Sequence, residues 1–437
     1  MKRFLLLLFV GASSIHAQTP CESGRYAEDV FANFVVTSDI EYGSNTNAAG
    51  NTTTLLLDFY EPENDTETER PLLIWVHGGS FLTGSKTDID VKTFSERFAK
   101  KGYACASINY RLGFLPIDST NAIKAVVRAV QDLKAAIRFF RQDNATTNTY
   151  KIDPNRIYIG GSSAGAITAL HVAYLSDECE IEDYLDASAL SALGGLEGTS
   201  GNPGYSTEVS AVINGCGALG RYSWMEADEV PLCSIHGTDD GTVKYNRGLV
   251  NPGIPIMYLD GSRMLHERAC AIGTENSFYT FHGAPHVPYA GTGAAQLAYM
   301  DTTVNFIRDF LVKQLGCTET ELQPANNWAE SAYLYPIDYC DGSPVNEVCP
   351  LAGLPTAELT QWNMYPNPAS NQVTIDLEAT GSYSVAIYDL TGRIVYRSKV
   401  SQGAHTIATD LFNSGNYFVR ITDQQTSLSE TKKLIIQ

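Results

Sequence analysis

Between residues 72 and 315 the chain alternates short apolar runs with stretches of helical periodicity, and this alternation restricts the fold more than any single motif. Leu72 to Val76 reads as a buried strand, Val91 to Lys100 as a helix and Tyr103 to Tyr110 as a strand again. The next helix carries Val126, Val130, Leu133, Ile137 and Phe140 at spacings of three and four, which sets one apolar stripe against a sheet. Asp153-Pro154 breaks the chain ahead of the strand Ile157-Tyr158-Ile159, and Ala166 to Leu175 continues as helix. Ala211 to Gly215, Pro231 to Ile235, Ile254 to Leu259 and Ser277 to His282 are further strands, closed by a helix over Tyr299 to Leu315. Repeated β-α units imply an α/β architecture, a mostly parallel central sheet flanked by helices on both faces. Two more strands precede it between Phe34 and Tyr60. Open parallel sheets of this kind place their chemistry at the carboxyl ends of the strands.

Two glycine-rich motifs fall at such ends. His77-Gly78-Gly79-Ser80-Phe81 follows Leu72 to Val76, and Gly161-Ser162-Ser163-Ala164-Gly165 follows Ile157-Tyr158-Ile159. A G-x-S-x-G between strand and helix makes a tight turn that lifts the serine hydroxyl clear of the backbone, which makes Ser163 the candidate nucleophile. A glycine pair after a buried strand leaves backbone N–H groups to face a developing oxyanion. A serine hydroxyl is a weak nucleophile at neutral pH, so it needs a base, and the base needs an orienting carboxylate. In a parallel-sheet enzyme these follow in the order serine, acid, histidine. The strand Pro231 to Ile235 leads into His236-Gly237-Thr238-Asp239-Asp240-Gly241-Thr242-Val243. Either aspartate can supply the acid. Asp240 leads the small residues of the turn and is favoured, whereas Asp239 reads as a solvated loop carboxylate or helix cap. Of the histidines beyond it, His286 lies in a loop after a strand end. His282 ends that strand, His266 sits on a helix-like run as a surface residue, and His405 belongs to the C-terminal segment. His171, on the helix after Ser163, reads as a packed helical histidine.

The ends of the chain carry a different message. Lys2 and Arg3 precede the apolar run Phe4 to Val10 and small residues reaching Ala17, the layout of a cleavable signal over residues 1–18. That run is far shorter than the ~20 residues a membrane span needs, so the chain is expected not to be an integral membrane protein. Export exposes nine cysteines, an odd number, to oxidising conditions. Cys105 and Cys233 read as buried thiols, Cys340 and Cys349 as a local bridge, and Cys179 with Cys216 as a staple across an insertion at Ser176 to Thr207. Cys21 follows Gln18-Thr19-Pro20, a poor context for lipid attachment. The acidic excess, 49 Asp plus Glu against 30 Lys plus Arg, disfavours nucleic acid as a partner. Residues 317–361 read as a linker, and 362–437 as a small antiparallel β-sandwich with strands at Val373 to Leu377, Tyr383 to Tyr388, Arg393 to Arg397 and Tyr417 to Ile421.

HGGSF, Ile108-Asn109-Tyr110-Arg111-Leu112-Gly113 and Gly160-Gly161-Ser162-Ser163-Ala164-Gly165 together resemble the oxyanion, strand-end and nucleophile signatures of the α/β-hydrolase family. The likeness is to its carboxylesterase and hormone-sensitive-lipase-like branches. It spans about Phe34 to Leu315 and implies a catalytic domain over residues 19–316. It also implies oxyanion donors at Gly78, Gly79 and Ala164, and a triad of Ser163, Asp240 and His286. Two positions depart from these branches: Ser162 replaces an acidic residue and Ser80 a third glycine. Tyr365-Pro366-Asn367-Pro368-Ala369, Tyr388-Asp389-Leu390-Thr391-Gly392-Arg393, Gly415-Asn416-Tyr417-Phe418-Val419-Arg420 and Lys432-Lys433-Leu434 resemble, in order, the sorting domain of the type IX secretion system. That likeness implies a partnership with the type IX secretion machinery and export to the cell surface or beyond.

The expected function is a secreted carboxylic ester hydrolase that works through an acyl-enzyme without a cofactor or metal, since H-E-x-x-H and C-x-x-C are missing. A serine peptidase on the same fold and a non-catalytic adhesion protein are the rival readings. The insertion at Ser176 to Thr207 is short and is expected to leave the cleft only partly covered.

Overall fold

A computed structural model describes residues 20–182, 184–317, 362–389, 394–409, 412–423 and 429–437. The signal segment, residues 318–361 of the linker and the Cys340–Cys349 bridge lie outside the described residues. The chain divides into two compact units, within residues 1–349 and 350–437.

In the first unit, β1 (Phe34–Thr46), β2 (Thr52–Pro62), β3 (Arg70–Val76), α1 (Ile89–Lys100), β4 (Ala104–Ile108), α2 (Ser119–Thr146), β5 (Ile152–Ser162) and α3 (Ala164–Tyr174) come first. They are followed by α4 (Ala187–Leu193), β6 (Ala211–Gly215), β7 (Ala218–Leu219), β8 (Leu232–Gly237), β9 (Arg247–Leu249) and β10 (Tyr258–Gly261). α5 (Ser262–Ile272), β11 (Asn276–Phe281) and α6 (Ala294–Gln314) complete the unit. An eight-stranded sheet runs in the order β1-β2-β4-β3-β5-β6-β8-β11. β1 and β2 are antiparallel, β2 pairs antiparallel with β4, and every pairing from β4 to β11 is parallel.

Strand periodicity assigns the two cores. Leu72, Ile74 and Val76 of β3 pack with Leu133 and Ile137 of α2 and Leu170 of α3. Leu73 and Trp75 of the same strand face Phe94 and Phe98 of α1 and Ile307 and Phe310 of α6. Every residue of β3 is buried, because helices cover both sides of a central parallel strand.

Some elements depart from the sequence expectation. Ile254 to Leu259 does not join the parallel sheet. Pro255 lacks a ladder donor, and the strand starts later, as β10, in a three-stranded antiparallel sheet ordered β7-β10-β9. Asp153-Pro154 does not end the strand. β5 runs through it from Ile152, and the register against β3 shifts between Arg70 and Leu72 to take up the extra residues. α6 begins at Ala294 because its exposed first turn has no apolar stripe to read. The Cys179–Cys216 staple is absent: Cys216 is a buried free thiol at the inner end of β6, as Cys105 and Cys233 are on β4 and β8. Among the described helices, none is long and apolar enough to cross a membrane.

The C-terminal unit holds β12 (Trp362–Tyr365), β13 (Gln372–Tyr388), β14 (Ile394–Ala408), β15 (Gly415–Asp423) and β16 (Ser429–Ile436) in one antiparallel sheet. The two expected strands at 373–377 and 383–388 are one long β13, with an irregularity between Leu377 and Ser382 that bends it. Val373, Ile375 and Leu377 alternate into a core shared with Trp362, Val419, Ile421 and Leu434, and Ala369 bridges Ile436 to curl the sheet into a sandwich-like unit.

A disulfide joins Cys21 to Cys317 across 296 residues. It fixes an N-terminal segment whose Tyr26 and Phe31 N–H groups donate to the Lys101 and Lys100 carbonyls at the end of α1. A sulfur committed to this bridge cannot carry a lipid. Closing so long a loop restricts the unfolded chain strongly, and such bridges contribute about 2–5 kcal/mol. The paired Cys21→Ser, Cys317→Ser protein is expected to lose stability of that order in denaturant unfolding while keeping its far-UV circular dichroism.

Candidate active site

The nucleophile turn is built by close backbone approach. Ser163 stands between β5 and α3 with φ +55°, ψ −120°, a strained conformation for a residue with a Cβ. Its N–H donates to the Gly215 carbonyl at 2.8 Å, and its carbonyl accepts from Ile167 at 2.9 Å. The flanking glycines are sterically required. A Cβ on Gly165 would lie 1.9 Å from the Val76 carbonyl oxygen, and one on Gly161 would lie 2.3 Å from it. The turn therefore sits directly on the end of β3, where the His77-Gly78-Gly79 loop begins.

That loop folds back through Gly79, at φ +100°, whose carbonyl accepts from Leu82 and Thr83 at 3.0 Å each. His77 stacks on Tyr110 at 4.4 Å, and its Nδ1–H donates to the Gly78 carbonyl at 2.7 Å. The Tyr110 hydroxyl donates to the same carbonyl at 3.3 Å and to that of His77 at 3.2 Å. With its carbonyls turned to these partners, the loop is free to present its amides to the other side, where Gly78 packs on Ser163: a Cβ on Gly78 would lie 3.4 Å from Ser163 Cβ. Gly78 and Gly79 line the open cleft together with Ser163, Ala164 is the first residue of α3, and the positive end of α3 points at the serine.

Asp240 and His286 come from neighbouring parallel strands. The loops after β8 and β11 are tied together: Thr238 N donates to Phe281 O at 3.1 Å, Asp239 N to Ala284 O at 3.1 Å and Gly283 N to Thr238 Oγ1 at 2.8 Å. The result brings His286 Nε2 to 2.8 Å from Ser163 Oγ and His286 Nδ1 to 2.6 Å from Asp240 Oδ2. Asp240 Oδ1 accepts from the N–H groups of Thr242 and Val243 at 2.8 and 2.9 Å. Burial works against its charge, but hydrogen bonds from His236 and His286 overcome this and hold the carboxyl well below the usual carboxylate range. A serine, an imidazole and an ionised carboxylate in this line can pass a proton from the hydroxyl to the ring while the carboxylate fixes the ring's tautomer.

The other candidates stand elsewhere. Asp239 is exposed at the loop surface. His282 is exposed one residue beyond β11. His405 lies on β14 in the other unit and bonds to the Ser401 carbonyl. His171 is buried, its Nδ1–H donating to the Ile167 carbonyl at 2.7 Å. His266 is not a surface residue: α5 turns it inward, 3 % exposed, to bond with Asn276 Oδ1.

Several neighbours of the serine escaped sequence reasoning. Ser162, the position that departs from the resembled families, bonds to the Tyr289 hydroxyl at 3.0 Å and to Asp90 of α1. Asp90 thus brings a carboxyl to the place where those families carry one, and burial pushes its pKa up. Cys216, His236 and Asp240 each bring a ligand atom within 4.8 Å of the others. Burial pushes the Cys216 thiol up to about 12, so it stays protonated, and hydrogen bonds account for the other two groups.

Ser163 lies between two unlike cavities. One is apolar and lined by Phe81, Phe114, Ile123, Ile167, Trp224 and Met257. The other is more open and bordered by Ser80, Asp88, Asp90, Asn251 and His286.

Two outcomes follow from this geometry. Gly165→Ala forces its methyl into the Val76 carbonyl, so it is expected either to prevent folding or to displace the serine; melting temperature and a crystal structure of the variant distinguish the two. His171 and His266 have pKa values lowered to about 4, chiefly by burial. The unfolded chain binds protons that the folded one refuses between about pH 6.5 and 4, so stability is full above this window and falls as pH drops through it. The loss is expected to be about 2 kcal/mol per histidine between pH 7 and 5. Unfolding curves at both pH values should record it, and His171→Gln with His266→Gln should flatten the slope.

Comparison with known proteins agrees with this architecture. Residues 57–218 match the family model BD-FAE, and residues 363–437 match the secretion system C-terminal sorting domain. The first match contains both glycine motifs and ends before Asp240 and His286. Gut esterase 1 of Caenorhabditis briggsae is 34% identical over 113 residues, 26% of this chain and 19% of that protein. Carboxylesterase 3B of Mus musculus is 33% identical over 115 residues, again 26% of this chain and 19% of that protein. The chain thus spans about a fifth of the length of these curated relatives. Esterase 2 of Thermogutta terrifontis, solved with propionate bound, is 21% identical and covers 68% of this chain and 99% of its own, with a TM-score of 0.47. The chain joins an esterase-like α/β-hydrolase domain to a C-terminal sorting domain of the type IX secretion system.

Proposed function

We propose that the chain is an exported serine hydrolase of carboxylic esters, with the hydrolase domain over residues 19–316, a linker over 317–361 and the sorting domain over 362–437. The observation that carries the reading is the unbroken hydrogen-bonded line from Ser163 through His286 to Asp240 at the strand ends. Ser163 Oγ attacks the ester carbonyl while His286 Nε2 takes its proton. The tetrahedral oxyanion is held by the N–H groups of Gly78, Gly79 and Ala164, donors already oriented before charge develops. His286 returns the proton to the leaving alcohol. Water, deprotonated by the same ring, then releases the acid from the acyl-serine and restores the enzyme.

The two cavities suggest how an ester lies across the serine. The apolar pocket takes an acyl group of compact or bulky shape, and the open, acid-bordered cleft takes a polar alcohol. Desolvating a hydroxyl-rich group in the apolar pocket without partners would cost more than leaving it in the cleft.

Ser163→Ala and His286→Ala are each expected to fold and to lose about 10⁴-fold or more in kcat on a soluble aryl ester, and the double variant little more, because the residues act as one unit. Retained turnover in either folded variant refutes the assignment. A peptide panel under the same conditions tests amide cleavage.

A further inference from the structure

We infer that His236, a residue outside the Ser163–His286–Asp240 line, is a positioning residue that acts on the reaction through Asp240; this rests on the ester-hydrolase reading above. His236 is the penultimate residue of β8 and is fully buried. Its Nε2 lies 3.1 Å from Asp240 Oδ2 and 3.0 Å from the Val243 carbonyl oxygen. Both are acceptors, so Nε2 carries the hydrogen and serves both. Its Nδ1 lies 2.7 Å from Ser262 Oγ. The Asn214 amide occupies one lone pair of that hydroxyl. Asn214 Oδ1 accepts from Gly217 N at 2.9 Å, which turns Nδ2 toward Ser262 Oγ at 2.9 Å and Ser234 Oγ at 3.0 Å. Ser262 Oγ accepts from Asn214 and donates to His236 Nδ1. With Nε2–H shared between its two acceptors and Ser262 Oγ beside Nδ1, both ring nitrogens of His236 are held in place.

The consequence falls on the catalytic line. Asp240 Oδ2 accepts from two imidazoles, His236 and His286, while Oδ1 is held by the Thr242 and Val243 amides. With both oxygens occupied, the carboxylate has one orientation, and it presents Oδ2 to His286 Nδ1. The His236 N–H also draws charge density from the oxygen that stabilises the His286 imidazolium. Removing that donor leaves Oδ2 more basic toward His286. The ring then keeps its proton to higher pH, and the carboxylate gains freedom to turn.

The other titratable groups around this pair come from several elements. Cys216 lies at the end of β6, Tyr245 packs on the His236 ring at 5.5 Å, and Lys244 Nζ lies 3.4 Å from the Asp240 carbonyl. Tyr289 approaches from the loop before α6, and Asp88 and Asp90 border the cleft that His286 shares. The hydrogen bonds to Asp240 Oδ2 come from His236 and His286.

Two substitutions of similar size separate positioning from packing. In Gln the amide nitrogen reaches the place of Nε2, whereas in Asn it matches only Nδ1. His236→Asn is expected to lower kcat by about 10- to 100-fold with little change in KM, and to move the acidic limb of the kcat/KM profile up by about half a pH unit or more. His236→Gln should restore most of both. If Asn and Gln behave alike, or the limb stays in place while kcat falls, the residue only packs and the proposal fails.

A measurement on the wild-type full chain guards against a variant that does not fold. In ¹⁵N-histidine-labelled protein, His236 should keep the Nε2–H tautomer from pH 6 to 9, and that proton should shift when Ser163 is phosphonylated by an alkyl fluorophosphonate probe with loss of fluoride. An Nδ1–H tautomer, or no response to phosphonylation, overturns the inference. Failure of the probe to label Ser163 at all would instead overturn the ester-hydrolase reading.

Discussion

Everything at the site depends on one close contact, the seating of the turn after β5 on the end of β3. At Gly165 and Gly161 a side chain would collide with the Val76 carbonyl oxygen. Only glycine lets the two strand ends approach to this distance, and the approach does three things together. It forces Ser163 into its left-handed conformation, it aims the first turn of α3 at the hydroxyl, and it lays the His77-Gly78-Gly79 backbone beside the serine. The strain at Ser163 is sustained by the register of β5 between β3 and β6, which fixes both sides of the turn. The geometry of the nucleophile is thus a property of the sheet.

A second constraint concerns charge. An aspartate without solvent in such a place would take up a proton, because desolvation disfavours the ionised form. Asp240 escapes this by occupying a turn whose amides converge on one oxygen while two imidazoles converge on the other. Asp90 illustrates the opposite balance. Buried near Ser162 with fewer donors, its carboxyl is pushed up. Two aspartates on opposite sides of one serine therefore take different protonation tendencies from their hydrogen bonding, and only Asp240 is suited to hold an imidazolium.

The sequence made the fold legible wherever periodicity or glycine geometry was local. The apolar run at 72–76, the stripe on α2 and the G-x-S-x-G turn each fix a conformation from neighbouring residues alone, whereas chain order and strand ends pointed to His286 but left Asp239 beside Asp240, which the turn residues and the family resemblance favoured. Contacts between distant segments left weaker traces. Cys21 and Cys317 have no local sign of their pairing, and Cys216 read as a partner for Cys179 only because both flank an insertion. His266 lies on a helix with apolar neighbours on more than one side, so the sequence did not reveal that its own face turns inward. His236 stood in plain view ahead of the acid, but its role depends on Ser262 and Asn214, which β10, α5 and β6 bring from far along the chain. Asp90 is hidden for the same reason: it lies on α1, and its partner Ser162 ends β5, far along the chain.

The insertion between α3 and β6 sits where a lid would hang, yet its bonds argue for a fixed wall. Gln131 of α2 donates to the Leu193 and Gly195 carbonyls, and Arg138 of the same helix to Gly201. Ser200 hydrogen-bonds Asp132, which forms a buried pair with Arg111, and its carbonyl accepts from Ser44 of β1. Breaking one partner from such a buried pair is costly, so an outward swing of this segment would expose and unpair several charged groups together. Ile181 and Tyr184 in the first half of the insertion line the apolar pocket, which makes the pocket's shape part of the folded core. The open cleft has a different boundary. Asn251, Pro252 and Gly253, in the exposed connection between β9 and β10, form its far side, and Pro252 also lines the apolar pocket. Ser80, Thr242 and Pro252 border both cavities at the serine, so a change in the β9–β10 connection alters the space on both sides of Ser163, whereas the pinned insertion reaches only one.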